Sequence, residues 1–196
     1  MVVGAKGDKR IIVYTGPDGS GRKSVAQAVG QTFGIVKVLS YVTRPPRLGE
    51  IDGQDYFFVS NEQYEKMEQE GQFLESVKIN GNRYGIRRED VERLIEEHGY
   101  IYLVLNREGA EILKNLYGDL VIRLFLYADR DTLEQRLVKM GLDPETIAAR
   151  MSHYDEQMAY RNECEHSFGN YILADTVSRI SQTLEEYFQR DLIDKD

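Results

Sequence analysis

The sequence predicts an α/β fold built on a parallel sheet, and three neighbouring features carry that prediction. RIIVYTG is a continuous apolar run closed by a glycine, GPDGSGRKS at residues 16–24 is a glycine-rich stretch directly after it, and an amphipathic pattern then leads to a second short apolar segment, VKVLS. Strand, glycine loop, helix and strand in that order form the parallel crossover unit. With 196 residues the chain suits one domain, large enough to bury a core and to carry small inserted lobes.

Taken in order, Ile11, Ile12 and Val13 lack polar alternation, as expected of a strand covered on both faces. Val25, Ala28, Val29 and Phe33 then fall on one helical face. From Ser40 to about Ile86 the character changes. TRPPRLGEIDGQDYFFV holds two prolines and two glycines, which disfavour a helix, and ends in aromatic residues suited to strands. A short helix is expected at Glu62–Gln69. FLESVKI alternates as a half-buried strand does, and NGNRYG reads as a turn. The segment is therefore expected to form a small, mainly antiparallel lobe inserted in the core. Beyond it, YIYLVL and DLVIRLFLY read as buried strands separated by a helix at Glu108–Leu116. Thr132–Met140 and Pro144–Met158 read as helices, Asn170–Leu173 as a last short strand and Thr176–Arg190 as a closing helix. No repeat, linker or low-complexity tract interrupts the pattern.

Hydrophobic residues at 41% and charged residues at 30% are globular values and argue against disorder. No apolar run reaches the length of a membrane span, and MVVGAKGDKR lacks the apolar core of a secretory signal, so a cytoplasmic protein without a membrane partner is expected. The single cysteine, Cys164, excludes an internal disulfide framework and is expected to be an inert thiol. His98, His153 and His166 show no ligand spacing and are expected to be solvated or capping, so no metal-ligand set is predicted. The net charge of −8 argues against nucleic-acid binding. That charge is unevenly spread. Residues 1–60 carry eight Lys and Arg against five Asp and Glu, whereas the rest of the chain carries 17 against 28. Positive charge gathered beside the glycines suits a small polyanion. A monomer or homodimer is expected.

Gly16, Gly19 and Gly21 permit backbone geometry in which successive N–H groups cradle phosphate oxygens at the positive end of a helix. The alternative is a tight strand-to-helix turn without a ligand. Three glycines with two cations and hydroxyl residues favour the phosphate reading. The usual pattern, however, is G-x-x-x-x-G-K-[ST], and here Arg22 follows Gly21 while Lys23 and Ser24 come one place late. Either the residues are replaced directly or the loop has gained one.

GPDGSGRKS together with TRPPRLGEIDGQDYFFV resembles the guanylate kinases, whose loop reads GPSGxGKST and whose second segment reads S-x-T-T-R-x-x-R-x-G-E-x-x-G-x-D-Y-x-F. The resemblance runs from about Ile11 to about Phe188, and its second segment is the more specific one. It implies a P-loop nucleoside monophosphate kinase fold with core segments 10–39, 87–136 and 151–196, a GMP-binding lobe at 40–86 and a helical lid at 137–150. It also implies transfer of the ATP γ-phosphoryl group to GMP, with Mg2+ accompanying ATP. Carried over by position, Arg44, Arg47, Tyr56 and Tyr84 would clamp the GMP phosphate, and Ser40 and Glu75 would read the guanine edge. Two guanidinium forks and two phenols suit a phosphate dianion, and a carboxylate suits the guanine N1–H and amine. On the ATP side, Gly16, Gly19, Ser20, Gly21, Arg22, Lys23 and Ser24 would bind phosphates. Arg22, Lys23, Arg136 and Arg150 would be the catalytic cations.

Several positions depart from the family. Arg22 stands for the loop Lys and Lys23 for the hydroxyl residue that ligates magnesium. Val104 and Asn106 in YLVLNREGA replace both aspartates of ILDIDVQGA, Met140 replaces a lid arginine, Ala174 an asparagine near the adenine, and Ile86 a hydroxyl near the guanine. Val25 follows Ser24 as the buried residue follows the second hydroxyl residue in the family, which favours direct replacement over an inserted residue. These losses fall mainly on magnesium and ATP. They weaken the expectation of Mg2+ and open a rival reading, an impaired module that binds a guanine nucleotide or a phosphorylated partner. A kinase of the same superfamily with another acceptor is disfavoured by the six GMP-site matches.

Overall fold

A computed structural model describes residues 9–79 and 81–193, and its first element is β1, Arg10–Thr15, buried from Ile11 onward. There follow α1 (Arg22–Phe33), β2 (Val36–Lys37), β3 (Tyr41–Val42), β4 (Phe57–Phe58), α2 (Asn61–Gln69), β5 (Phe73–Ile79) and β6 (Asn82–Arg87). The second half holds α3 (Arg88–His98), β7 (Tyr100–Val104), α4 (Arg107–Tyr117), β8 (Val121–Tyr127), α5 (Arg130–Lys139), α6 (Pro144–Met151), α7 (Tyr154–Ala159), β9 (His166–Gly169) and α8 (Leu173–Ile193). The fold is α/β.

The core sheet runs β2-β7-β1-β8-β9, and every pairing in it is parallel. Successive strand residues point to opposite faces, so the apolar run of β1 serves two cores at once. Ile12 and Tyr14 pack with Val25, Val29, Ile180 and Leu184 from α1 and α8. Ile11 and Val13 pack on the other face with Val91, Ile95, Ala110 and Leu113 from α3 and α4. On α1, Val25, Val29 and Phe33 are buried as expected, but Ala26 is buried where Ala28 is only half-buried. The inserted lobe is a second sheet, β4-β3-β6-β5, antiparallel except between β3 and β4.

Three local expectations need correction, and one element was not expected. The turn expected over NGNRYG ends before Asn82, because Asn82 to Arg87 pair with β5. The helix expected over Pro144–Met158 breaks after Met151, where Arg130 Nη2 donates to the Met151 carbonyl at 2.7 Å and the Tyr154 hydroxyl donates to Ala128 O at 3.1 Å. The last strand is His166–Gly169 rather than Asn170–Leu173. Phe168 is the residue that reaches the core, and Tyr171, Ile172 and Leu173 stay exposed. Nothing in the sequence reading anticipates α3, a strongly charged helix that buries only Val91 and Ile95.

The other expectations about single residues can also be placed. Burial raises the Cys164 thiol to about 12, which keeps it protonated and unreactive. His166 is half-buried, and its Nε2 lies 2.8 Å from the Tyr187 hydroxyl on α8. Among the described residues no helix is long and apolar enough to cross a membrane.

Candidate functional site

The glycine loop joins β1 to α1 at the C-terminal edge of the parallel sheet, where open α/β sheets bind ligands. Gly21 is the N-cap of α1 and adopts φ +82°, a left-handed geometry that suits glycine. A Cβ there would also stand 2.5 Å from Asn170 Nδ2. That amide donates to Ser20 O at 2.8 Å, so Asn170, between β9 and α8, closes the loop from behind. Arg136 on α5 donates to Gly19 O at 3.2 Å and to Asn170 O at 2.7 Å. Ser20 is fully buried, and its Oγ has no hydrogen-bond partner among the described residues.

The first turn of α1 spreads its side chains because adjacent helical residues point about 100° apart. Arg22 folds back to Leu105 O at 3.2 Å and to Asp18 Oδ1 at 3.0 Å. Burial pulls its guanidinium below the usual value, against the pull of Asp18. Arg150 reaches the same carboxylate, with Nη1 3.4 Å from Asp18 Oδ2. Asp18 thus holds two of the four expected catalytic cations. Lys23 points elsewhere, its ammonium 3.6 Å from Glu50 and 4.5 Å from the centre of the Tyr56 ring. Ser24 is exposed and Val25 fully buried.

In the lobe, Arg44 and Tyr84 meet across β3 and β6, with Nε donating to the phenol oxygen at 3.1 Å. Tyr56 lies beside both, 6.2 Å from Tyr84 between ring centres and 5.1 Å from the Arg44 guanidinium. Glu50 takes a bidentate contact from Arg44 at 2.6 and 2.9 Å and another bond from Arg47 N at 2.9 Å. The Arg44 bond, helped by Arg47 N, pulls the Glu50 carboxyl down to about 2, and in return Glu50 raises the Arg44 guanidinium. Arg47 itself is exposed.

Glu75 on β5 is 5% exposed, and burial, seconded by Glu108, raises its carboxyl to about 7. It faces the first turn of α4. A Cβ on Gly109 would stand 2.8 Å from Glu75 Oε1, so glycine is what allows that approach. Glu75 pairs with Ile86, and the register Tyr41↔Gly85 places Ser40 next to Ile86 on the neighbouring strand. The six residues expected to bind GMP therefore lie on one small sheet and its loop.

The residues present do not fit a protein-held magnesium ion. An ammonium, Lys23, stands where the hydroxyl ligand is expected. Val104 is apolar, Asn106 Oδ1 caps α4 by accepting from Gly109 N at 3.0 Å, and Asp18 is paired with two arginines. Among the described residues no cluster of three or more His, Cys, Asp or Glu could hold a metal. The sequence reading missed Asp18, Lys37, Glu50, Glu108 and Asn170 as parts of the site. Glu50 lay within the quoted lobe motif and Asp18 within the loop. The other three carried no local signal.

The guanylate kinase family model matches residues 8–191. The chain is 33% identical to a guanylate kinase of Streptococcus agalactiae serotype III over 187 residues, 93% of this chain and 90% of that one. It is also 33% identical to one of Streptococcus pyogenes serotype M3 over 183 residues, 91% and 87% of the two chains. Its fold is similar to the crystal structure of guanylate kinase from Anaplasma phagocytophilum, with a TM-score of 0.74 at 23% identity over 92% of this chain and 86% of that one.

Proposed function

The chain belongs to the guanylate kinase family, and on that footing we propose that it transfers the γ-phosphoryl group of ATP to GMP, more slowly than relatives whose phosphate loop is intact. An oxygen of the GMP phosphate attacks the γ-phosphorus, the bond to the β-bridging oxygen breaks, and GDP and ADP leave. The attacking phosphate has a second pKa of about 6 and is largely ionised at neutral pH, so no general base is needed. Catalysis is then positioning and neutralisation of charge. In this reading Glu75 and Ser40 hold the guanine, while Arg47, Tyr56, Tyr84 and Arg44 hold its phosphate. The loop N–H groups from Gly16 to Ser24, all but that of Pro17, which has none, hold the donor phosphates together with Arg22, Arg136 and Arg150. Segment 40–86 acts as the acceptor lobe and 137–150 as the lid.

The observation that carries the proposal is the contact of Arg44, Tyr56 and Tyr84 on the sheet that also buries the Glu75 carboxyl. A rival reading, a module that binds a guanine nucleotide or a phosphorylated partner without transfer, draws on Asp18, which occupies Arg22 and Arg150. A coupled ADP-release assay with GMP, AMP and dGMP, with and without magnesium, separates the two. GMP-dependent ADP release, absent with AMP, is expected. Calorimetric GMP binding without release would favour the rival. No GMP binding at millimolar concentration would remove both.

A further inference from the structure

We infer that Lys23 and Lys37 are ligands of the acceptor phosphate, two ammonium groups that the α/β core contributes to the Arg44, Tyr56 and Tyr84 cluster of the lobe. The inference rests on the assignment of GMP to that lobe. Lys23 leaves the first turn of α1 and Lys37 ends β2. Their ammonium groups lie 4.5 and 5.6 Å from the centre of the Tyr56 ring, and the Arg44 guanidinium lies 5.1 Å from the same point. Three cations, from α1, β2 and the loop after β3, thus surround one phenol. The Glu50 carboxylate stands near them, 3.6 Å from Lys23, and the backbone carbonyl of Asp55 accepts from Lys37 at 2.9 Å.

Arg44 cannot neutralise a phosphate dianion alone. Its Nε donates to Tyr84, its Nη1 to Pro45 O and Glu50, and its Nη2 to Glu50. A guanidinium has five N–H bonds, so one Nη2 hydrogen remains without a partner among the described residues. Much of its charge is already matched by Glu50. Lys23 and Lys37 supply the balance from beside Tyr56; both also line a 510 Å³ cavity with Gln27, Gln31, Asp55 and Val104, a cavity that Arg44, Tyr56 and Tyr84 do not line. Val104 leaves that wall apolar on the sheet side. Burial and, after it, the neighbouring Lys23 charge pull Lys37 below its usual value. Two ammonium groups held close in this way repel each other, and a bound dianion relieves that repulsion.

The test is calorimetry in EDTA with GMP and with guanosine as separate probes. The proteins are the wild type, Lys37→Gln, Lys37→Arg and Lys23→Ser. Lys37→Gln and Lys23→Ser should each weaken GMP by about tenfold, as loss of a charge-assisted contact does, and leave guanosine unchanged. Lys37→Arg should keep most of the GMP affinity. Unchanged GMP affinity in both neutral variants overturns the inference, as does an equal loss for guanosine, which would report a rearranged pocket. A wild type that binds no GMP instead removes the assignment of GMP to the lobe. Should Lys37→Gln not fold, Lys23→Ser decides, because the Lys23 side chain is half exposed.

Discussion

Glu75 joins sequence, burial and proposed function most directly. Its carboxyl is raised to about 7 by burial and by Glu108, so the native protein holds this proton to higher pH than the unfolded chain, where the group titrates near 4.5. The stability that follows is fully present below the unfolded value and is lost as pH rises through the folded one. Glu75→Gln should therefore flatten the fall in stability between about pH 5 and pH 7, read from urea midpoints. A guanine edge needs the ionised carboxylate, so guanosine should bind about tenfold tighter at pH 8 than at pH 6. Guanosine rather than GMP is the probe because the GMP phosphate itself titrates at about 6. A flat guanosine profile would remove Glu75 from the base site. The carboxylate was legible in FLESVKI; Glu108, which approaches it from α4, was not.

The loop between β1 and α1 depends on a residue far along the chain. Asn170 Nδ2 holds Ser20 O at 2.8 Å across a separation of 150 residues, and Gly21 leaves room for it. Asn170→Ala removes a buried donor and should cost about 1–2 kcal/mol, seen as a drop of roughly 2–4 °C per kcal/mol in a domain of this size. Gly21→Ala should cost more in the wild type than in the Asn170→Ala background, since the second variant removes the close contact while the φ of +82° remains strained in both. Equal costs in the two backgrounds would show that the amide moves aside freely. The apolar YIL after Asn170 resembles a strand, but the chain needs that place for the turn that brings Asn170 under the loop.

Over the molecule as a whole, Asp18 ties the glycine loop before α1 to α6. It meets Arg22 at 3.0 Å and Arg150 at 3.4 Å, and the stretch around Arg150 has its own small core of Ala128, Leu133, Leu137 and Met151. Under the proposed function, a carboxylate in this position competes with donor phosphates for both arginines and repels their charge. Asp18→Ser should strengthen ATP binding several-fold, by about 1 kcal/mol for partly exposed pairs, and the gain should shrink at high salt. Unchanged ATP affinity by calorimetry would mean that the arginines leave Asp18 at no cost when ATP binds.

The apolar run of β1, the alternation of FLESVKI and the glycines of residues 16–21 are local patterns with local causes, and from them the α/β class, the second sheet and the glycine turn that opens α1 followed directly. The cations and carboxylates of the site were visible as residue types for the same reason. Their partners were not. That Lys23 turns toward Tyr56 while Arg22 turns toward Asp18 follows from the helix phase of α1 against a lobe whose position only packing sets. The division of Pro144–Met158 into two helices depends on Arg130 reaching the Met151 carbonyl. The raised Glu75 carboxyl depends on α4 covering β5. Periodicity reports which face of an element is apolar, but charge pairing and desolvation depend on distances between elements, and those exist only once the two sheets and their helices have packed.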